Sequence, residues 1–256
     1  MNPAKTFKEL LKKDGPIFGL YINLSDPLVV EMAKAAGFDF VRIDLEHSLM
    51  DPRELRELIR TANLLDILVQ VRISDLTDAT KLLDQGADGL VVPDVSNVER
   101  AKKAIDAVKY HPTGMRGMYP ATRYLDFGMS DFARYFATAN SRITLTIQIE
   151  DKEGIANIDE ILALEGIDMV STGKFDLSQS LGIPGKVGDP KVLEAEAAIV
   201  KKAFEYGKIP VVMAETAQRV RELGKMGIKV ITVGPDVAIL FKGLKETLVS
   251  LKSPTS

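Results

Sequence analysis

Asp44, Glu46, His47 and Ser48 follow directly on an apolar run, Phe40 to Leu45. His47 is one of two histidines in the chain. An imidazole at a strand end suits a general base, a metal ligand or a plain loop residue. Arg72 closes a second apolar run, Ile67 to Ile73. A guanidinium is costly to bury unpaired, so Arg72 is expected to meet either an internal acid or an anionic ligand. Gln148 and Glu150 end a third run, Ile143 to Ile149, and Asp176 follows a fourth, Ile167 to Thr172. Two converging carboxylates repel unless a cation lies between them or one takes a proton. With water positions left open they suit a hard divalent ion such as Mg²⁺ or Mn²⁺. The competing reading makes each one an acid favoured by the start of a helix.

These groups need a scaffold that ends several strands on one face. Apolar segments begin at Ile17, Phe40, Ile67, Gly89, Ile143, Ile167, Ile209 and Lys229, and amphipathic stretches alternate with them. Apolar runs without alternation are what strands buried on both faces look like. Eight such units in this length predict a single α/β (β/α)8 TIM barrel over residues 1–256. An extra N-terminal helix (Thr6 to Lys13) precedes the barrel, and residues 252–256 form a polar tail. A doubly wound sheet would want a glycine-rich loop after its first strand, and Asn23-Leu-Ser-Asp-Pro27 is not one. The longest stretch read as irregular, Thr113 to about Asn140, holds Arg116, Arg123 and four aromatics (Tyr119, Tyr124, Phe127, Phe132). Loops this long inside a domain usually serve function. His111 reads as a surface loop residue.

Composition narrows the classes. A charged fraction of 27% with 46% hydrophobic residues supports a packed core. The net charge of -3, from 33 basic and 36 acidic residues, offers no patch for nucleic acid. The absence of cysteine excludes disulfides and thiolate chemistry. No apolar run reaches the ~18 residues of a membrane span. The lysine-rich start does not read as a secretory signal. A cytoplasmic protein acting on small molecules, with no membrane or nucleic-acid partner, is the expectation.

Several short motifs, in order, resemble the HpcH/HpaI family of class II, metal-dependent pyruvate aldolases. They are Gly37-Phe-Asp-Phe-Val-Arg-Ile-Asp-Leu-Glu-His47, Val71-Arg72, Leu82-Leu-Asp-Gln-Gly-Ala87, Val91-Val-Pro93, Gly114-Met-Arg-Gly117, Gln148-Ile-Glu150, Gly166-Ile-Asp168, Gly173-Lys-Phe-Asp-Leu-Ser178 and Val233-Gly234. The similarity runs from about Phe18 to Val249. It implies a barrel enzyme that forms or cleaves 4-hydroxy-2-oxo acids through a pyruvate enolate and an aldehyde. It also implies Glu150 and Asp176 as ligands of Mg²⁺ or Mn²⁺, with Co²⁺ also admitted. His47 matches the catalytic histidine that works through a water on the metal, with Asp84 as its hydrogen-bonded partner. Arg72 matches the arginine that neutralises the enolate, and Gln148 a side chain that contacts pyruvate. Backbone N–H groups around Phe175 and Asp176 are implied to hold the pyruvate carboxylate, and Arg123 to meet a carboxylate on the aldehyde. The family tends to form hexamers of dimers that exchange the last helix, so a homo-oligomer is implied.

Departures are visible. Gly173-Lys-Phe stands where the family usually has Gly-Pro-Ala or Gly-Pro-Ser, and Tyr119-Pro120 replaces a glycine after Arg-Gly. The alternatives are an acyl-CoA lyase of the citrate lyase β-subunit type and a non-catalytic metabolite-binding barrel.

Overall fold

The computed structural model describes residues 6–129 and 131–252. Eight parallel strands close into a barrel in sequence order: β1 Ile17–Ile22, β2 Phe40–Asp44, β3 Leu68–Arg72, β4 Gly89–Val92, β5 Thr144–Ile149, β6 Met169–Thr172, β7 Ile209–Met213 and β8 Val230–Val233. The seam pairs Ile17 with Val230 and Leu20 with Val233. Around it lie α1 Phe7–Leu10, α2 Leu28–Ala36, α3 Pro52–Leu64, α4 Ala79–Gln85, α5 Val98–Val108, α6 Phe132–Arg142, α7 Lys152–Ala156, α8 Ile158–Leu162, α9 Lys174–Ser180, α10 Pro190–Glu205, α11 Ala217–Lys225 and α12 Asp236–Lys252. The predicted TIM barrel and its leading helix are both present. The tail expected at 252–256 lies, from residue 253 on, outside the described residues.

Local chemistry explains the helix boundaries. Asp51 caps α3 by accepting from Arg53 and Glu54 N–H, with Pro52 in the first turn and Glu54 closing a capping box. That helix turns Leu58, Ile59 and Ala62 into the core. A fully buried Leu or Ile contributes roughly 1.5–3 kcal/mol. The helix read across Gly154 to Leu164 is two helices, and Asn157 at the break between them donates its side chain to Ser96 O (2.9 Å). The stretch read as irregular up to Asn140 also differs. It contains a 3₁₀ helix, Arg123–Gly128, and α6. Asp131 caps α6, and Phe136 packs edge-on against Tyr110 at 4.9 Å.

A repeated clamp aligns the even strands. Gly37-Phe38-Asp39, Gly86-Ala87-Asp88 and Gly166-Ile167-Asp168 precede β2, β4 and β6, each with its glycine at positive φ. Each aspartate accepts the N–H of a residue on the preceding odd strand: Phe18 (2.9 Å), Val69 (2.9 Å) and Leu145 (2.8 Å). Before β8 the same place holds Gly227-Ile228-Lys229. There the Lys229 ammonium donates to Leu11 O and Lys13 O, tying β8 to the N-terminal segment.

The barrel interior is layered. Phe7 and Leu10 of α1 plug its base against Ile17, Phe40, Leu68, Met169, Val211 and Val230. Above this apolar layer the interior turns polar, with Arg42, Gln70, Thr144 and Thr146 all buried. Gly19 and Gly89 make the room: a Cβ on Gly19 would enter the Phe40 ring, and one on Gly89 would strike Thr144. The strands therefore deliver their C-terminal residues to one polar mouth.

Candidate active site

Asp44 and Arg72 pair across β2 and β3 and form the base of the mouth. The Arg72 Nε and Nη2 donate to the two Asp44 oxygens at 2.9 and 2.7 Å. Both residues are buried, so this bidentate pair is shielded from water. Asp44 also accepts from Asn23 Nδ2 (3.2 Å) and from the Glu46 N–H (3.1 Å). Burial alone would raise the Asp44 pKa, but Arg72 outweighs it and holds the carboxyl below its usual range. Arg72 extends Nη1 to Glu46 Oε2 at 2.9 Å and lies 5.3 Å from the centre of the Tyr21 ring. Of the two partners expected for Arg72, the structure supplies internal acids.

Glu46 leads to a second group. One carboxylate oxygen each from Glu46, Asp94 and Glu150 lie within 4.8 Å of one another. Glu150 is 3% exposed. It accepts from the Asp94 N–H at 2.9 Å and closely from Gln148 Nε2. Ser171 Oγ in turn donates to Gln148 Oε1 at 3.4 Å. Gly173 is required here, since a Cβ at that position would collide with the Glu150 carboxylate. Burial pushes the Glu150 pKa up to about 7 despite those two donors, and the charges of Asp176 and Asp94 add to the rise. Glu46 is also raised, by burial first, with Arg72 and His47 opposing and Asp94 and Asp44 reinforcing. Oxygen ligands of hard divalent ions sit at about 2.0–2.6 Å, so opposed ligands are about 4–5 Å apart. This donor set therefore fits such an ion: oxygens only, convergent, and mutually repelling without one.

The remaining predicted residues distribute as follows. The His47 imidazole is 60% exposed and its Nε2 is 3.7 Å from Glu46 Oε2. Asp176 is exposed in the first turn of α9, close enough for its charge to act on Glu150. Phe175 beside it is 70% exposed, and Lys174 is half-buried. Arg123 is half-buried at the start of the 3₁₀ helix. Asp84 is not joined to His47. It pairs with Arg116 Nη2 at 2.5 Å, and Arg116 lies 4.7 Å over the Tyr110 ring. Burial raises the Asp84 pKa against that pairing. His111 is exposed, as read from the sequence.

Sequence reasoning passed over Asp94, Asn23 and Tyr21. Asp94 carried a usable signal: an acid two residues past the end of β4, after Pro93. It adopts positive φ (54°), which aspartate tolerates better than most residues.

A sequence model of the HpcH/HpaI aldolase/citrate lyase family matches residues 17–242. The hydroxypyruvate/pyruvate aldolase of Roseobacter denitrificans is 31% identical over 241 residues, covering 93% of each chain. Among solved structures, an HpcH/HpaI aldolase from Desulfitobacterium hafniense superposes with a TM-score of 0.92 at 29% identity over 99% of both chains. The citrate synthase SbnG superposes with a TM-score of 0.89 at 30% identity, over 96% of this chain and 97% of its own.

Glu150 generates a pH prediction for divalent-ion binding. A carboxyl titrating near 7 must lose its proton before it can ligate, so protons compete below pH 7 and not above it. Calorimetric titration with Mn²⁺ should show an affinity about tenfold lower at pH 6 than at pH 8, with proton release at the lower pH. An affinity independent of pH across this range would contradict the assignment.

Proposed function

Because the chain belongs to the HpcH/HpaI aldolase/citrate lyase family, we propose that it enolises pyruvate or a related 2-oxo acid and joins it to an aldehyde, or runs the reverse cleavage. It is an aldolase, a carbon–carbon lyase. The observation that carries the substrate reading is the buried Arg72–Asp44 pair set beside the Glu46–Asp94–Glu150 cluster. Those groups put a fixed cation next to a site for a second one, at the strand ends where barrel chemistry is performed.

Glu150 and Asp176 hold the metal in this reading, with Glu46 and Asp94 facing the same space. The ion is Mg²⁺ or Mn²⁺, with Co²⁺ admitted. When bound, it supplies Lewis-acid polarisation of the keto oxygen. The protein's own groups do the rest. Arg72 presents positive charge where the enolate oxygen becomes negative, and Asp44 keeps it from turning away. Gln148 contacts the 2-oxo acid, and the backbone N–H groups near Phe175 and Asp176 meet its carboxylate. His47, at the solvent edge with Nε2 3.7 Å from Glu46 Oε2, takes the methyl proton by way of a water. The enolate carbon then bonds to the aldehyde carbon, and the resulting alkoxide takes a proton. Arg123 meets a carboxylate on the acceptor. Asp84 is the residue this reading assigns as partner to His47; within this chain it pairs with Arg116. Among the described residues no helix is long and apolar enough to cross a membrane, and a cytoplasmic setting belongs to the same reading.

A homo-oligomer is the second part of the proposal. Along α12, Ile239, Leu240, Leu244 and Leu248 are exposed and line an open apolar groove of about 450 Å³. Such a stripe needs cover. A second copy that exchanges α12 provides it, and a hexamer of such dimers is the expected assembly.

Two experiments test these readings. Metal-loaded protein incubated with pyruvate in D₂O should lose its methyl proton signal by NMR. The loss should vanish without the divalent ion and in His47→Ala or Arg72→Ala. Exchange that ignores the metal would sink the mechanism. Action on an acyl-CoA but not on free 2-oxo acids would assign the citrate lyase-type reaction instead. For the assembly, light scattering should show Leu244→Glu at a lower mass than the parent protein, whereas a monomeric parent would refute the exchange.

A further inference from the structure

Arg42 is the largest side chain sealed inside the barrel, at 1% exposure. Among the described residues no carboxylate forms an ion pair with it. Its Nε and Nη2 both donate to Gln70 Oε1, at 3.1 and 2.7 Å, and its Nη1 donates to the Tyr21 hydroxyl oxygen at 3.2 Å. Its guanidinium carbon is 5.3 Å from the Tyr21 ring centre and 6.0 Å from that of Phe40. A buried cation satisfied only by neutral oxygens and aromatic faces is a costly choice for a core. An apolar residue would fill the volume more cheaply, so a use beyond packing is implied.

The neighbours show what that use is. Gln70 is itself fixed, since its Nε2 donates to Thr144 Oγ1 (3.2 Å) and Thr146 Oγ1 (3.3 Å). A chain of contacts therefore runs from β5 through Gln70 and Arg42 to Tyr21 on β1. Tyr21 ends the chain against Arg72, whose guanidinium carbon is also 5.3 Å from the ring centre. The Asp44 fork holds one edge of the Arg72 guanidinium and Glu46 Oε2 holds Nη1 at 2.9 Å. The Tyr21 ring lies against its remaining side and bounds the guanidinium plane there. The Arg42 bond to the Tyr21 hydroxyl helps set where that ring sits.

We propose that Arg42 is a positioning residue: by holding the Tyr21 hydroxyl it seats the Tyr21 ring against Arg72 and fixes the Arg72 guanidinium plane for the enolate oxygen. The inference rests on the reading that Arg72 meets that oxygen. An arginine suits the task because its planar fork reaches Gln70 and Tyr21 together. The effect belongs to the transition state, where charge develops, so it falls on kcat and spares KM.

The test uses Mg²⁺-loaded full-length protein and pyruvate methyl exchange in D₂O. Tyr21→Phe and Arg42→Met should each lower kcat about tenfold or more, with KM within about twofold. Mg²⁺ affinity should stay unchanged by calorimetry. The double variant should be no slower than the slower single one, because the two act as a unit. Arg42→Lys keeps the charge but cannot span both partners, and it should stay as slow as Arg42→Met. Unchanged kcat in folded Tyr21→Phe, additive losses in the double variant, or full recovery by lysine would each overturn the proposal. If Arg42→Met fails to fold, Tyr21→Phe alone decides by the same kcat criterion. Arg72→Ala, run in parallel, separates the two levels. Loss of exchange there with unchanged Tyr21→Phe overturns the inference alone. Retained exchange in Arg72→Ala overturns the reading beneath it as well.

Discussion

Arg72 reaches Asp44 with two parallel hydrogen bonds between neighbouring strands, and both partners are out of water. Removing one member of such a pair leaves an uncompensated buried charge, which typically costs about 3–5 kcal/mol. Most of the mouth follows from keeping that pair intact. Asp44 also orders the Glu46 N–H and Asn23, so the loop after β2 is anchored through the same carboxylate. Asp236 does the matching task for the end of β1, accepting from the N–H groups of Asn23 and Leu24.

The pair does not balance its surroundings. Glu46, Asp94 and Glu150 gather negative charge beside Arg72, and burial first, with neighbouring carboxylates adding to it, raises the pKa of Glu46 and Glu150. Burial is the larger cause for both, so the site holds carboxylates that are short of solvent as well as close together. A divalent cation answers both problems, since it neutralises the oxygens and replaces their lost hydration. The fold keeps this arrangement rigid by placing a polar layer, Arg42, Gln70, Thr144 and Thr146, beneath the mouth. An apolar plug built around Phe7 and Phe40 seals the base.

The barrel was legible because apolar strands and amphipathic helices have different periods, and the glycine stops between them are strong. Strand limits at Gly89–Val92 and Ile209–Met213 coincide with the reading. Arg72, Gln148, Glu150 and Asp176 were legible as polar groups at strand ends. What each one touches was not, because contacts between strands depend on register. Asp84 is an example: the resemblance implies a role beside His47, and the pair with Arg116 within this chain could not be read from the sequence. Helix α6 escaped notice because glycines and prolines earlier in the stretch masked its cap at Asp131. Arg42 and Tyr21 read as ordinary members of their strands. Only the pairing register of β1, β2 and β3 puts Arg42 and Arg72 beside the Tyr21 ring.

The central claim is that Arg72 and a metal held by the carboxylates together create a site for an enolate. Oxalate is a planar, anionic mimic of that species, and calorimetric titration with it measures the site without turnover. Oxalate should bind only when Mg²⁺ or Mn²⁺ is present. In Arg72→Lys, which cannot form the Asp44 fork, its affinity should fall by about tenfold or more. Equal oxalate affinity with and without the divalent ion, or in the parent and Arg72→Lys proteins, would contradict the claim.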